Sequence, residues 1–471
     1  MFKKSLFVVL VISCLFRIAD ARSKETKIRV LALSATSSQA PSFDLAGLLD
    51  GTATLGWKPG MIGSGAEEGI FIQFENPVKM DAVRLEGKGS FVVSMNGVEI
   101  NEDGGYFYVP GRIGVKTLFI HLPTHPVEPT ELTGIELCRK GTPLPVERPV
   151  VVEGEVKATN VLSPELAYGA FRLFDSRPDL AFALDGNKID TDKSVPLFDL
   201  KFHKPVNLKG FFIWNGYQRS DDLYVANARS KEITVRNGSS SARFLLADKM
   251  GPQWFAFPGN GWNTSSLNFE ANSIFPGRDY KDLVLSEICF ATNQNDILTV
   301  RVPRPPLEVP KGLEKVVDQS LASFAMESVG DYSLKLRSDG TFAAIQETTS
   351  VDNGPSRKIW EGNWVPTGSG EVKVFGKSYS SEPSQDQSIY GNEVSKPQVK
   401  TFQTTLKITD LSDPKPETRD WIFKLVKAEG FQGDDTVDSA AFWKELKTRT
   451  NAIFVESNLF SQVMVLDKLK K

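Results

Sequence analysis

Phe74-Glu75-Asn76-Pro77-Val78-Lys79-Met80-Asp81-Ala82-Val83-Arg84-Leu85 returns later in the chain as Phe202-His203-Lys204-Pro205-Val206-Asn207-Leu208-Lys209-Gly210-Phe211-Phe212-Ile213. Each copy is preceded by an aspartate with an aromatic seven positions on, Asp50 with Trp57 and Asp175 with Phe182. Each is followed by a closing block, Glu136-Leu137-Cys138 or Glu287-Ile288-Cys289. Three matched blocks in the same order imply one fold used twice, and units of this size are duplicated domains rather than the shorter repeats of a solenoid. Duplication of a module without catalytic machinery serves binding, because two weak sites on one chain gain effective concentration. Within both copies the apolar pattern has period two, as in Phe71-Ile72-Gln73-Phe74 and Leu197-Phe198-Asp199-Leu200-Lys201-Phe202. Short strands with Gly, Pro and Asn between them describe an antiparallel sandwich or jelly roll.

Working outward, 471 residues fit about three domains. Gly141-Thr142-Pro143-Leu144-Pro145-Val146-Glu147-Arg148-Pro149 and Val302-Pro303-Arg304-Pro305-Pro306-Leu307-Glu308-Val309-Pro310 read as semi-rigid spacers, since proline at this density favours extended, poorly pairing backbone. The expected division is a leader over residues 1–21, one sandwich over 27–141, a second over 150–292, and a third region over 311–471. That third region opens with an apolar periodicity at Leu313, Val316, Val317, Leu321 and Phe324 that predicts an amphipathic helix over residues 311–328. Alternation from Tyr332 to Leu336 leads to Asp339-Gly340, a hairpin turn signal. Further strand-like stretches at Trp364, Val372 to Phe375, Phe402 to Ile408 and Trp421 to Val426 fit a small up-and-down β-barrel, followed by a helix after Asp438 and a last strand near Val463. The expected fold class is therefore all-β: two sandwiches followed by a small β-barrel-like domain with a few helices.

Lys3 and Lys4 precede an apolar run from Leu6 to Phe16, and Ala19-Asp20-Ala21 supplies the small residues of a cleavage site, the pattern of a secretory leader. The chain is thereby expected to be exported, to the periplasm, the cell surface or the medium. A rival reading takes Leu10-Val11-Ile12-Ser13-Cys14 as a lipobox, with Cys14 acylated and the protein tethered as a lipoprotein. No later segment approaches the roughly 20 consecutive apolar residues of a spanning helix, so no membrane span is expected. The net charge of −3 argues against nucleic acid as a partner. Cys138 and Cys289 hold matching places in the two copies, which leaves two readings: two buried free thiols, or one inter-domain disulfide.

Leu173-Phe174-Asp175 with Phe182, Asn215-Gly216-Tyr217, Tyr224-Val225-Ala226-Asn227-Ala228-Arg229, Phe275-Pro276-Gly277, Tyr280-Lys281-Asp282 and Ser286-Glu287-Ile288 make a set of spaced motifs over residues 150–292. This segment resembles the bacterial F5/8 type C (discoidin) relative named for the translocation domain of secreted NAD glycohydrolases, which is also described as a glycan-binding domain. The first copy is similar to a more distant discoidin-type module and lacks the Asn-Gly-Tyr and Asn-x-Arg blocks. The resemblance implies galactose-binding-like jelly-roll sandwiches whose end loops bind carbohydrate, without NAD cleavage, because the catalytic segment of such toxins has no counterpart in this chain. It also implies a calcium ion at the aspartate block and the closing glutamate, Asp175 with Glu287 and Asp50 with Glu136, hard oxygen donors that suit that ion. The threonine usual two residues before the aromatic is Leu55 in one copy and Leu180 in the other, which removes a ligand. A second reading therefore stands beside calcium, in which the aspartates cap turns and the glutamates pair with arginine.

Sugar recognition needs a flat apolar ring to stack on C–H faces and planar polar groups to bridge vicinal hydroxyls. Tyr217, Arg219, Tyr224, Asn227 and Arg229 supply both in one segment, and Trp262 follows among turn-forming residues in a loop that also holds Trp254 and Phe257. These are the candidate glycan contacts. The plainer reading is that Tyr224, Asn227 and Arg229 stitch a long loop to the sandwich and that Trp254 is core. An enzyme finds little to work with: His121, His125 and His203 form no His-Glu-x-x-His pattern, and no Gly-x-Ser-x-Gly elbow or phosphate-cradling loop occurs. A paired-carboxylate glycosidase is the remaining catalytic alternative. The expected function is a non-catalytic, lectin-like modular protein, and the alternative is a structural or docking protein that holds a cell-envelope or host protein.

Overall fold

The computed structural model describes residues 27–36, 38, 43–59, 68–122, 130–190, 192–305, 309, 311–323, 330–350, 354–368, 370–381, 398–412, 414–428, 439–448, 452–457 and 461–466. The expected leader, Cys14 included, lies outside the described residues.

The first unit is built from β1 (Ile28–Ala35), β2 (Gly69–Val78), β3 (Ala82–Lys88), β4 (Val92–Met95), β5 (Val98–Ile100), β6 (Glu102–Asp103), β7 (Tyr106–Tyr108), β8 (Val115–His121), β9 (Glu131–Arg139), β10 (Thr142–Pro143) and β11 (Val146–Glu147). They form two sheets, in the orders β11-β1-β2-β8-β4-β5 and β10-β9-β3-β7-β6. The second unit comprises β12 (Val150–Lys157), β13 (Phe182–Leu184), β14 (Val195–Asn215), β15 (Arg229–Asn237), β16 (Ser240–Leu245), β17 (Pro252–Ala256), β18 (Trp262–Phe275), β19 (Leu283–Thr292) and β20 (Ile297–Arg301), hydrogen-bonded into one nine-stranded sheet around its core.

The pairings show the duplication strand by strand. β1 runs antiparallel to β2 and parallel to β11, as β12 runs antiparallel to β14 and parallel to β20. β2 pairs with β8, and β14 with β18. β3 lies between β7 and β9, while the last third of β14 lies between β17 and β19. The repeated proline explains where the chain leaves one layer for the other. Pro77 sits in the register break between Gln73 and Val78, and Pro205 in the break between Lys201 and Val206; a residue without an N–H cannot continue a central ladder. The repeated apolar positions point inward on either side of that break: Phe74 and Val83 in the first copy, Phe202, Phe211 and Ile213 in the second, are all at most 2% exposed. Burying one such side chain contributes roughly 1.5–3 kcal/mol.

The stretch read as a spacer after Gly141 is stitched into the first sandwich instead. Thr142 and Pro143 pair with β9, Val146 and Glu147 pair with β1, and Arg148 binds Asp44 and Asp50. Proline only has to sit where its missing donor is not needed, and the short pairings allow that.

The third unit is a closed barrel, β21 (Ser320–Ser323), β22 (Gly330–Leu336), β23 (Thr341–Ser350), β24 (Gly354–Gly368), β25 (Glu371–Ser381), β26 (Gln398–Asp410), β27 (Ile453–Glu456) and β28 (Ser461–Leu466), each strand beside its sequence neighbour and β21 closing on β28. The helix expected over residues 311–328 does not form in the described part, residues 311–323. Left-handed backbone at Gly312 (φ 94°) and Asp318 (φ 56°) replaces it with turns that lead into β21. Its apolar residues are core all the same, since Leu313, Val316, Val317 and Leu321 pack against Trp360 and Trp364 inside the barrel. The expected strand from Trp421 to Val426 is helical, part of Pro416–Ala428, whose first residue is the proline suited to a first turn. The helix after Asp438 is present as Ser439–Leu446.

Cys138 and Cys289 are both buried and both free, so the disulfide reading is set aside. Among the described residues no helix is long and apolar enough to cross a membrane.

Candidate functional site

The second sandwich carries five of the expected ligand residues, Tyr217 to Arg229, at one end and Trp262 away from them, paired across from Leu208, and the structure uses all of them internally. Arg229 forms a bidentate pair with Asp248, at 2.8 and 2.9 Å, and donates to the carbonyls of Tyr224 and Asn227 at 3.1 and 2.7 Å. Tyr224 donates to the same aspartate at 2.9 Å and lies under the Arg229 guanidinium, while Asn227 donates to the Leu223 carbonyl. Burial, and then Asp248, push the Tyr224 phenol above its ordinary range; the Arg229 bond holds Asp248 below its own. Trp262 stacks on Phe257 with ring centres 4.2 Å apart, within the core. Tyr217 packs with Ala181, Ala183 and Val284.

All six candidates, Tyr217, Arg219, Tyr224, Asn227, Arg229 and Trp262, are between 5% and 9% exposed. This corrects the expectation that they line an open site. A long loop has to satisfy its own carbonyls where it crosses the end of a sandwich, and arginine and asparagine do that from within. Trp254, which the plainer reading placed in the core, is instead 39% exposed beside Phe212.

Arg219 has a further task that the sequence did not signal. It donates to the Asp179 carbonyl at 2.9 Å and to Asn363 Oδ1 of the barrel at 3.0 Å. The barrel turn that follows Arg337 is the meeting point of all three units. Arg172 of the second sandwich, with no exposed surface, donates to the Asp339 carbonyl at 2.6 Å, and Tyr168 stacks on Phe375. Gly340 holds φ at 80° and approaches so closely that a Cβ there would stand 3.0 Å from Leu166. From the first sandwich, the fully buried Glu68 meets Arg337 at 2.8 Å and Lys335 at 3.4 Å. The two sandwiches also touch directly, through Trp214 Nε1 donating to Gln73 Oε1 and an apolar cluster of Leu31, Phe212, Trp214, Cys289 and Ile297. Asp339-Gly340 was legible as a turn; no sequence signal shows what a turn docks on.

The two acidic pairs read as calcium ligands differ. Asp50 is bound by Arg148, at 2.8 and 3.2 Å, and by the Thr52 hydroxyl at 2.6 Å, which lowers its carboxyl to about 2, chiefly through the arginine. Glu136 pairs with Arg84 at 3.2 Å. Each has its own arginine, so this pair does not fit a calcium ion.

Glu287 and the side chain of Asp175 are both buried, and Asp175 helps burial to raise the Glu287 carboxyl. Arg172 donates to Asp175 at 3.1 Å and reaches the Leu166 and Asp339 carbonyls with its other nitrogen. Backbone N–H groups of Ile288, Arg177 and Ser176 lie close enough to Glu287 to favour its charged form, the Arg177 N–H itself donating to Asp175 Oδ1 at 2.9 Å, while Glu287 Oε2 has no partner. The loop thus presents donors to Glu287, where a hard cation needs acceptors, and a guanidinium already holds the carboxylate and carbonyl oxygens around Asp175. The donor set does not suit calcium, and among the described residues no group of three or more His, Cys, Asp or Glu side chains could hold a metal.

What remains open at this end is the loop after Phe275. Its backbone is fastened to the helix Asp221–Ala226 by Arg278, Asp279 and Tyr280 N–H groups donating to Val225 and Ala226 carbonyls. Tyr280 is 55% exposed, and beside it Arg278 is held flat by Asp222 at 2.8 Å and by Asp279.

A comparison with curated proteins returned no match. Among solved structures, the second family 32 carbohydrate-binding module of a family 31 glycoside hydrolase, bound to GalNAc, is 18% identical, covers 30% of this chain and 97% of its own, and has a TM-score of 0.22. The arabinofuranosyltransferase AftD from Mycobacteria is 10% identical over 92% of this chain, with a TM-score of 0.26, and the chain spans 40% of its length. A two-domain protein of unknown function from Bacteroides fragilis is 13% identical over 48% of this chain and 84% of its own, at 0.20. Likenesses at these TM-scores carry no argument about this chain. The sequence comparison does: residues 197–291, from β14 to the end of β19, match the NAD glycohydrolase translocation F5/8 type C domain, the family that the spaced motifs of this segment resemble.

Proposed function

We propose that this is an exported, modular, non-catalytic carbohydrate-binding protein whose second sandwich meets its ligand at the loop bearing Arg278 and Tyr280. The F5/8 type C match at residues 197–291 carries the reading. The loop supplies what a sugar needs: an exposed ring for C–H faces, and a guanidinium and two carboxylates, Asp222 and Asp279, held in place before binding. Preordering lowers the entropy cost of capture. The leader-like N-terminus supports export, and the lack of nucleophile and metal motifs in the sequence supports a non-catalytic role.

A glycan array probed with the full chain, beside a Tyr280→Ala, Arg278→Ala variant, tests it. Selective binding that the variant loses is the expected result. A blank array with a folded protein overturns the reading in favour of protein docking, which the rigid junction of Glu68, Lys335 and Arg337 also suits. Cross-linking to envelope or host proteins would then identify the partner.

A further inference from the structure

The outer face of the β10-β9-β3-β7-β6 sheet, in the first sandwich, holds a second set of groups of this kind, well away from any loop motif. Phe107 enters the core, so its neighbours Tyr106 and Tyr108 stand on the opposite face, with ring centres 5.9 Å apart and planes 31° apart. Tyr108 is 51% exposed. Register places Arg84 of β3 across from Tyr106, Glu136 of β9 across from Arg84, and Asp103 of β6 on the other side of Tyr106. Arg84 pairs with Glu86 and with Glu136, and hydrogen-bonds Tyr106. Three carboxylates, Asp103, Glu86 and Glu136, thus surround two tyrosine rings and a single guanidinium.

The repeat shows that this composition is particular to the first copy. Arg84 and Glu86 stand where the second copy has Phe212 and Trp214. Those two residues lie in the apolar cluster with Leu31 and are covered by the first sandwich. The same face is a dry domain contact in one unit and a solvent-facing aromatic and acidic surface in the other.

We infer that the Tyr106/Tyr108 face of the first sandwich binds a glycan whose sugars carry protonated amines. A tyrosine pair takes the C–H face of a pyranose, an ammonium is drawn to the π face and to the surplus carboxylates, and ring hydroxyls bond to Glu86 and Glu136. An acidic glycan would meet net negative charge and is disfavoured. This site stands on its own geometry and does not require the loop at Tyr280.

The test is titration of the full chain with glucosamine oligomers and with their N-acetylated counterparts. The proposal expects glucosamine oligomers to bind, N-acetylation to weaken binding at least about tenfold, and Tyr106→Ala with Tyr108→Ala to weaken it by a similar factor, since each removes one attractive contact. The tyrosine variant keeps every charge, so non-specific adsorption of a polycation would survive in it. Binding that persists in this variant, equal affinity for the acetylated oligomer, equal tyrosine-dependent competition by polylysine, or no binding by the folded chain each overturns the proposal. The Tyr280→Ala, Arg278→Ala variant separates the sites: it keeps glucosamine binding when the face acts alone, and if it abolishes that binding the sheet-face assignment fails while the loop reading stands.

Discussion

The two copies share an aspartate block and a closing glutamate and place them in opposite surroundings. In the first, Asp50 meets Arg148 near solvent, and Glu136 lies on an open sheet face with Arg84. In the second, Asp175, Glu287 and Arg172 are sealed from water, and the arginine also reaches into the barrel. One motif therefore serves a surface ion pair in one unit and a buried junction in the other. The difference in solvent decides what each contributes. An exposed pair is screened and worth little, whereas removing one partner of a buried set leaves uncompensated charge and costs several kcal/mol.

The largest expected effect is at Arg172. Arg172→Met keeps most of the side-chain stem but leaves Asp175 and two carbonyls without their cation, and should lower stability by about 3–5 kcal/mol. Denaturant unfolding would show this as an earlier transition for the second sandwich, and limited proteolysis should cut between sandwich and barrel. A midpoint unchanged from the parent protein would mean that Arg172 is not the counterion of this junction.

Next is Glu287→Gln, which changes stability in the other direction. Burial first, and Asp175 second, hold the Glu287 carboxyl well above its ordinary range. An acid raised in the folded state is best tolerated protonated. Stability linked to Glu287 is therefore full below the ordinary carboxylate range and is lost as pH climbs through the raised folded value. Gln keeps an acceptor for the backbone N–H groups and removes the charge, so the variant should gain about 1–3 kcal/mol at neutral pH and lose that advantage in acid. Melting curves across pH check the sign; a variant less stable at pH 7 would contradict it.

Much of this architecture could be read in the chain. Phe74/Phe202 and Pro77/Pro205 announced the duplication, because local geometry recurs whenever the fold does, while the break at which the strand changes layers at each proline shows only in the pairing register. The barrel meander and its Asp339-Gly340 turn were legible for the same reason. The helix expected at residues 311–328 does not form over the described residues 311–323 because Leu313, Val316 and Val317 satisfy a helical period while left-handed Gly312 and Asp318 on either side of them bend the backbone, and period alone does not report φ. The six loop candidates were of the right chemical type, yet burial depends on contacts made far along the chain, such as Arg219 with Asn363. The open face at Tyr106 and Tyr108 was passed over because alternation around Phe107 marks a strand without saying which face a neighbour covers.

The smaller effects belong to the first copy. Arg148→Ala removes the main cause of the lowered Asp50 carboxyl and should cost less than about 1 kcal/mol, since the pair is largely solvated. A lowered acid contributes stability that is present above its ordinary 3.8 and is lost as pH falls through about 2, so the gap between variant and parent should close over that interval, opposite in sign to Glu287. Calcium should do least of all. Arg172 already holds Asp175, Arg148 already holds Asp50, and backbone donors rather than acceptors face Glu287, so millimolar calcium should leave the melting temperature unchanged. A clear upward shift that disappears in Asp175→Asn would show that Arg172 yields its place to a metal. The two copies would then differ in which cation they accept rather than only in how far they are buried.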